Sequence, residues 1–347
     1  MADGAARKIR TPFPTPPAEG EALEVADGVL WIRLPLPMAL DHVNVYAIDD
    51  GDGWTVIDTG FQSNRGRRLW EKLLAGPLAG KPVHRVVATH HHPDHIGMAG
   101  WFQNAHGAEL ITTRTAWLFA RMLHLDLQET PSPEVVAYWK SAGMAPDILA
   151  DRMTERPFNF ADTVAPLPLG FTRILEGDHL TMGGRRWRVR IGHGHAPEHA
   201  TFWSEDDDLI LGGDQLLPAI SPNLGVYATE PEADPVAEWL ESCRAFQPHA
   251  LEDHFVLPGH KLPFVGLPTR LEQLIDNHVG ALARLEEALA TPKTAVECFK
   301  PVFKREIVGG QYGLALVEAM AHCLHLWHAG RVTRTLRDDG AWLWHKA

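Results

Sequence analysis

The sequence predicts an α/β fold with a metal centre gathered at its strand ends. Short valine- and isoleucine-rich runs of strand length alternate with amphipathic helical stretches. Four of the strand-like runs end in His or Asp, each with glycine close by. Apolar residues make up 45% of the 347 positions, enough for a large packed core and room for a second, smaller domain.

The chain is organised around Thr89-His90-His91-His92-Pro93-Asp94-His95-Ile96-Gly97, which leaves a valine-rich run at 83–88. A loop at a strand end is where an open site can sit on a rigid scaffold. His90 and His92, two apart, can aim at one point from an extended backbone. Asp94 and His95 follow where the chain turns and address a second point nearby. Neutral imidazoles and an ionised carboxylate suit a borderline divalent ion such as zinc. With 20 histidines in the chain, a chance cluster of surface or capping residues is the rival reading.

The other strand ends weigh against chance. The alternating run Trp187-Arg188-Val189-Arg190-Ile191 leads into Gly192-His193-Gly194-His195-Ala196-Pro197-Glu198-His199. Leu209-Ile210-Leu211 runs into Gly212-Gly213-Asp214, and Phe255-Val256-Leu257 into Pro258-Gly259-His260. A lone His after a strand is usually a hydrogen-bonded loop residue. Four such ends in this order point to a metal centre, with glycines permitting close backbone approach.

These residues give the chain a resemblance to the metallo-β-lactamase-fold hydrolases, spanning roughly 22–267. The family's His-x-His-x-Asp-His signature reads as His90, His92, Asp94 and His95, and its Gly-His-x-Pro element as Gly194-His195-Ala196-Pro197. Its bridging aspartate matches Asp214 and its last ligand His260. The resemblance implies an αββα sandwich, two mixed sheets face to face with helices outside and metals at one edge. It implies two divalent ions, zinc first, with iron or manganese also accepted by such ligands. His90, His92 and His195 would hold metal one, Asp94, His95 and His260 metal two, and Asp214 would bridge them. A hydroxide shared by the ions would attack the carbonyl of a small ester, thioester, lactone or lactam. Asp94 would orient it and pass on a proton.

Two departures limit any transfer of substrates. Glu198 stands where glyoxalase II and the acyl-homoserine lactonases usually have a small residue. Lactonases of this fold carry a substrate-binding tyrosine three residues after the bridging Asp, and here that position is Leu217. That role is then unfilled or passes to Tyr227 or His193. Glu198 and His199 are candidate supports of the site, with a solvated surface carboxylate as the competing reading of Glu198.

In chain order, residues 1–21, rich in Pro and Gly, read as an extended arm. Strand-like runs follow at 29–34, 43–48 and 54–57, with Asp50-Gly51-Asp52-Gly53 as a hairpin turn. The last run ends at Asp58, readable as a partner fixing a ligand histidine's tautomer or as a turn-forming Asp. A helix is expected over 62–75, and another opening within 96–102. Residues 112–162 depart from the strand rhythm, with helical patterns at 115–127 and 133–142. This insertion is expected to wall the substrate pocket, using Trp117, Phe119, Met122, Tyr138 and Trp139, or simply to pack. Short strands return over 171–212, and 233–246 reads as a helix.

From 268 the chain reads as long helix, capping box at Thr294-Ala295-Val296-Glu297, helix, and a hairpin turning at Asp338-Asp339-Gly340. This resembles the winged-helix tail of one branch of the family, so 268–347 is expected as a separate small domain. Residues 281–347 hold nine Lys/Arg and seven Asp/Glu, a formal +2, against −14 for the remainder. The overall charge of −12 argues against general affinity for nucleic acid or anionic membranes. The tail is therefore expected to pack on the catalytic domain or to make a homodimer contact, and the substrate to be a small molecule. Cys243, Cys298 and Cys323 share no ligand spacing and imply free thiols. No leader pattern and no bilayer-length apolar run occur, so a soluble cytoplasmic protein is expected. Two other functions fit the same ligands: a metal-dependent endoribonuclease acting on single strands, and a mononuclear iron enzyme of the persulfide dioxygenase type.

Overall fold

Period-two alternation along the strands builds two sheets that bury a common core between them. The computed structural model describes residues 8–347. The first sheet runs in sequence order: β1 (Ala22–Ala26), β2 (Val29–Pro35), β3 (His42–Asp49), β4 (Trp54–Ile57), β5 (Val83–Val87), β6 (Glu109–Thr112) and β7 (Thr172–Arg173). Its first four strands pair antiparallel, and β4 to β7 are parallel. The second sheet, of β8 (His179–Met182), β9 (Arg185–Gly192), β10 (His199–Ser204), β11 (Leu209–Gly213) and β12 (Phe255–Pro258), is antiparallel except for the β11–β12 pair.

On β3, Tyr46 and Ile48 face the second sheet, where they join Trp31, Trp187, Val189, Phe202 and Leu257. Val43, Val45 and Ala47 face the other way, toward Leu69, Trp70 and Leu73 of α1 (Asn64–Ala75) and Phe102 of α3 (Ala99–His106). A one-turn helix, α2 (Pro93–Ile96), precedes α3, which opens at Ala99, within the 96–102 stretch expected to start a helix. The insertion carries α4 (Arg114–Leu125), α5 (Pro133–Ser141) and α6 (Pro146–Thr154). Ser132 caps α5 as its position suggests, accepting the Val135 N–H. No residue of α6 is fully buried; only Ile148 and Leu149 pack in part against the helical core, a weak apolar signal in sequence.

The outer face of the second sheet is covered by α7 (Pro235–Phe246), α8 (Leu267–Ala288), α9 (Phe299–Phe303) and α10 (Tyr312–His328). Trp203, Ile210 and Val256 share a core there with Leu271, Leu274, Leu316 and Met320. The layers are thus helix, sheet, sheet, helix. The tail ends in the hairpin of β13 (Val332–Leu336) and β14 (Trp342–Lys346), turning at Gly340 with φ of 90°. The capping box forms reciprocally: the Thr294 N–H donates to the Glu297 carboxylate at 2.7 Å, and the Glu297 N–H to Thr294 Oγ1 at 3.4 Å. The described part of the N-terminal arm lies along the second sheet, with Arg10 bridged to Val265 and Phe13 stacked on Phe255. All three cysteines are buried and free. Among the described residues, no helix is long and apolar enough to cross a membrane.

The insertion's aromatics mostly pack. Trp117 stacks on Phe171 at 4.9 Å, and Tyr138 and Trp139 join the helical core of the tail. Met122 is exposed. Phe119 alone of the five meets a residue of the metal-binding motif, lying 5.2 Å from the His91 ring.

Where the tail meets the 215–227 loop, Ser221 Oγ donates to His278 Nε2 at 2.8 Å, His278 Nδ1 faces His322 Nε2 at 3.3 Å, and His322 Nδ1 donates to the Glu318 carbonyl at 2.8 Å. Burial pushes His278 down to about 3 and His322 to about 4. Both stay neutral in the folded protein, while the unfolded chain takes up protons near pH 6.5. Their stabilising contribution is full above pH 6.5 and is lost as pH falls toward those values. His278→Gln should therefore lower stability at pH 7 yet flatten its decline between pH 6.5 and 4. Thermal melts across that range giving an unchanged slope would refute this. Phe202, fully buried between the sheets, should cost about 3–5 kcal/mol when truncated to Ala. A denaturant titration showing less than about 1 kcal/mol would mean the two sheets are not packed as described.

Candidate metal centre

Parallel pairing decides where the polar strand ends meet. β4 and β5 run parallel, so Asp58 and the Thr89–His95 loop emerge side by side. β11 and β12 run parallel in the other sheet, so Asp214 and His260 also emerge together. The connection from β9 to β10 delivers His195 to the same edge. All seven residues singled out as ligand positions converge: His90, His92, Asp94, His95, His195, Asp214 and His260.

They form two groups. His92 Nδ1 lies 2.9 Å from His90 Nε2 and 3.0 Å from His195 Nε2. His260 Nε2 lies 3.3 Å from Asp94 Oδ2, with His95 Nε2 at 3.7 Å from that same oxygen. Asp214 sits between the groups. One of its oxygens is 3.4 Å from His195 Nε2 and 3.2 Å from His260 Nε2, and the other 3.4 Å from His95 Nε2.

In four of the five rings the far side fixes the tautomer. Thr89 donates its hydroxyl to Asp58 Oδ2 at 2.9 Å, so it accepts from His90 Nδ1, also at 2.9 Å. His95 Nδ1 donates to Asp58 Oδ2 at 2.7 Å. His195 Nδ1 donates to the Asn223 carbonyl at 2.9 Å, and His260 Nδ1 to the His42 carbonyl at 2.7 Å. Four Nε2 lone pairs therefore point inward at one another and at two carboxylates. With the rings neutral these are all acceptors. His95 Nε2 and Asp214 Oδ1 are buried with no hydrogen-bond partner, a costly state that a cation at this spot relieves.

The charges agree. Burial, reinforced by neighbouring imidazoles, holds His90 and His92 well below the usual histidine range. Burial also opposes charge on His95 and His260, but Asp214 and Asp94 outweigh it and raise both, His260 to about 10. The site calls for positive charge, and protons or metal ions can supply it. This donor set fits divalent metal ions.

Backbone constraints keep the groups close. A Cβ at Gly259 would fall 2.3 Å from Asp214 Oδ1 and 2.8 Å from the His95 ring, so only glycine fits between Pro258 and His260. Asp58 adopts a left-handed conformation with φ of 59°, strained for a non-glycine residue. It holds that turn by accepting the Thr89 N–H at 2.8 Å. Asp58 is thus a partner of His95 and Thr89, the first of its two sequence readings.

Other supports carried no sequence signal. Asn44 of β3 donates to the Pro258 and Lys261 carbonyls, each at 2.9 Å, and Tyr46 Oη donates to Pro258 at 2.9 Å. The first sheet thereby grips the turn that presents His260. His199 Nε2 accepts the Asp214 N–H at 3.0 Å, a supporting place as expected. Glu198 is not a solvated carboxylate. It is partly buried and accepts the Thr115 N–H at 3.2 Å at the start of α4. Leu217 is buried, His193 braces its own loop through the Pro197 carbonyl, and Tyr227 is half exposed with its ring against Gly225.

Comparison with known proteins gives the same family from independent evidence. Residues 38–260 match the Metallo-beta-lactamase superfamily, and residues 282–347 match the Metallo-beta-lactamase-like, C-terminal domain. The probable metallo-hydrolase YqjP of Bacillus subtilis (strain 168) is 25% identical over 291 residues, covering 81% of this chain and 88% of that protein. A beta-lactamase domain protein from Burkholderia ambifaria superposes with a TM-score of 0.88 at 35% identity, covering 98% of this chain and 97% of that one. A metallo-beta-lactamase family protein from Thermus thermophilus does so with a TM-score of 0.75 at 26% identity, covering 93% and 100%. The chain belongs to the metallo-beta-lactamase superfamily and is a metal-dependent hydrolase, with divalent ions as its implied cofactors.

Proposed function

We propose that the protein is a dinuclear hydrolase of a small ester, thioester, lactone or lactam, with zinc the first candidate ion. The observation that carries this is Asp214, whose carboxylate stands between two complete donor groups rather than inside one. His90, His92 and His195 would hold one ion, Asp94, His95 and His260 the other, and Asp214 both. When bound, two such ions supply Lewis acidity and a water that ionises near neutral pH.

The chain's own residues do the rest. Asp94 is the less buried of the two inward carboxylates, its side chain 17% exposed against 8% for Asp214. It is thus the one within reach of an incoming substrate. Its neighbours His95 and His260 keep it ionised against the effect of burial, ready to accept a proton and hand it to the leaving group. Asp58, Thr89, Asn223 and His42 hold the imidazoles so that their inward nitrogens stay bare. Glu198 anchors α4, whose Phe119 forms an apolar border beside the motif.

The rival readings find less support. α10, the helix that a winged-helix tail would offer to nucleic acid, contains no Lys or Arg. Most of it is buried against α7 and α8. This favours packing over nucleic-acid binding for the winged-helix-like tail. A mononuclear iron enzyme would leave the group of Asp94, His95 and His260 without a task.

A hydrolysis panel on metal-loaded protein tests the reading, with thioester, lactone, β-lactam and single-stranded RNA as substrates. Turnover of an acyl substrate is expected, falling about 10²–10⁴-fold in Asp94→Ala. Cleavage of RNA alone would overturn the proposal. Asp58→Ala should weaken metal binding about 10–100-fold, since His95 and Thr89 lose their common acceptor. Metal content that survives chelator dialysis as well as in the unmodified protein would show Asp58 to be a mere turn residue.

A further inference from the structure

The loop from Gln215 to Tyr227 has no regular secondary structure, yet it is held by many polar contacts from α8 and α10. Arg270 donates to the Leu217 and Ile220 carbonyls at 2.5 and 2.7 Å. Ser221 bonds His278, and the Val226 N–H donates to the Val317 carbonyl at 3.2 Å. Asn223 Nδ2 donates to the Glu318 carboxyl at 2.8 Å and to the Leu314 carbonyl at 3.1 Å. Every one of these partners lies beyond the last residue of the metal-binding motifs.

Asn223 is where this grip reaches the metal centre. Its side chain is held by Glu318, and its carbonyl accepts the Nδ1 proton of His195. One residue thus joins a carboxyl on α10 to the orientation and tautomer of an inward imidazole. We infer that Glu318 is a positioning residue for the metal centre, acting through Asn223 on His195, so that the C-terminal domain completes the site. This rests on the proposed role of His195 as a ligand.

The alternative occupation of this region, a separate metal site at His278, Glu318 and His322, is less well supported. Ser221 and the Glu318 carbonyl already satisfy both ends of that histidine pair. Burial pushes the Glu318 carboxyl up to about 8, so glutamine is a close mimic that keeps the acceptor oxygen. Leucine keeps the approximate volume and removes it.

The test measures stoichiometry and affinity for zinc by chelator competition, with circular dichroism and thermal melts alongside. The proteins are the full chain and its variants Glu318→Leu, Glu318→Gln, Asn223→Ala and His195→Ala. In Glu318→Leu one of two ions should bind about 10–100-fold more weakly while the other is retained. Glu318→Gln should restore affinity to within a few-fold. Asn223→Ala should reproduce the loss with the tail untouched, and it decides the matter if Glu318→Leu does not fold. A folded Glu318→Leu or Asn223→Ala with both ions at full affinity overturns the inference, as does Glu318→Gln failing as badly as leucine. If instead the unmodified chain binds fewer than two ions, or His195→Ala keeps both, the dinuclear reading falls and takes this one with it.

Discussion

The site is governed by one electrostatic constraint: imidazole nitrogens and carboxylate oxygens crowd inward with too few protons among them to pair them all. The outer nitrogens of His90, His95, His195 and His260 are committed to a hydroxyl, a carboxylate and two carbonyls. The inner nitrogens are therefore bare, and two carboxylates stand among them. Such an arrangement is unfavourable in a protein interior unless positive charge enters. The fold accepts this cost and builds around it, with parallel strand pairs that aim their ends at one edge, a glycine at 259 and a strained turn at Asp58.

The inward residues were legible in the sequence because metal binding restricts residue type, and strand ends restrict spacing. The layered architecture was legible for a similar reason, since period-two runs and helical stripes separate cleanly on β3 and α1. What escaped was the outer support. His260 and His195 are oriented by the backbone carbonyls of His42 and Asn223, and any residue type supplies a carbonyl. Asn44 and Tyr46 grip Pro258 from more than 200 residues away, a contact that only tertiary structure reveals. Asp58 stays open between two readings until its turn geometry and its three bonds are known. Glu198 reads as readily as a solvated carboxylate, because nothing in sequence ties it to the start of α4. The helix α6 leaves only a faint pattern because Ile148 and Leu149 pack inward in part and no residue of it is fully buried.

The tail illustrates how much function can lie in packing. Charge and pattern alone make 268–347 a separate element with a structural task. The structure ties its two long helices to the loop behind His195, through Arg270, His278 and Glu318. Those helices also bury the outer face of the second sheet. A region with no inward residue of its own is thereby coupled to the geometry of the centre.

The gathering of inward residues from both sheets has a consequence for how the chain reaches its native state. His90 to His95 belong to the first sheet, while Asp214 and His260 belong to the second, so the centre exists only once the sheets have docked. An ion with affinity for the docked state alone shifts the folding equilibrium by mass action, about 2.7 kcal/mol when free ion exceeds its dissociation constant 100-fold. Ion scarcity then acts twice, on turnover and on the fraction of chains that stay assembled. Chains short of metal become the ones most exposed to proteolysis.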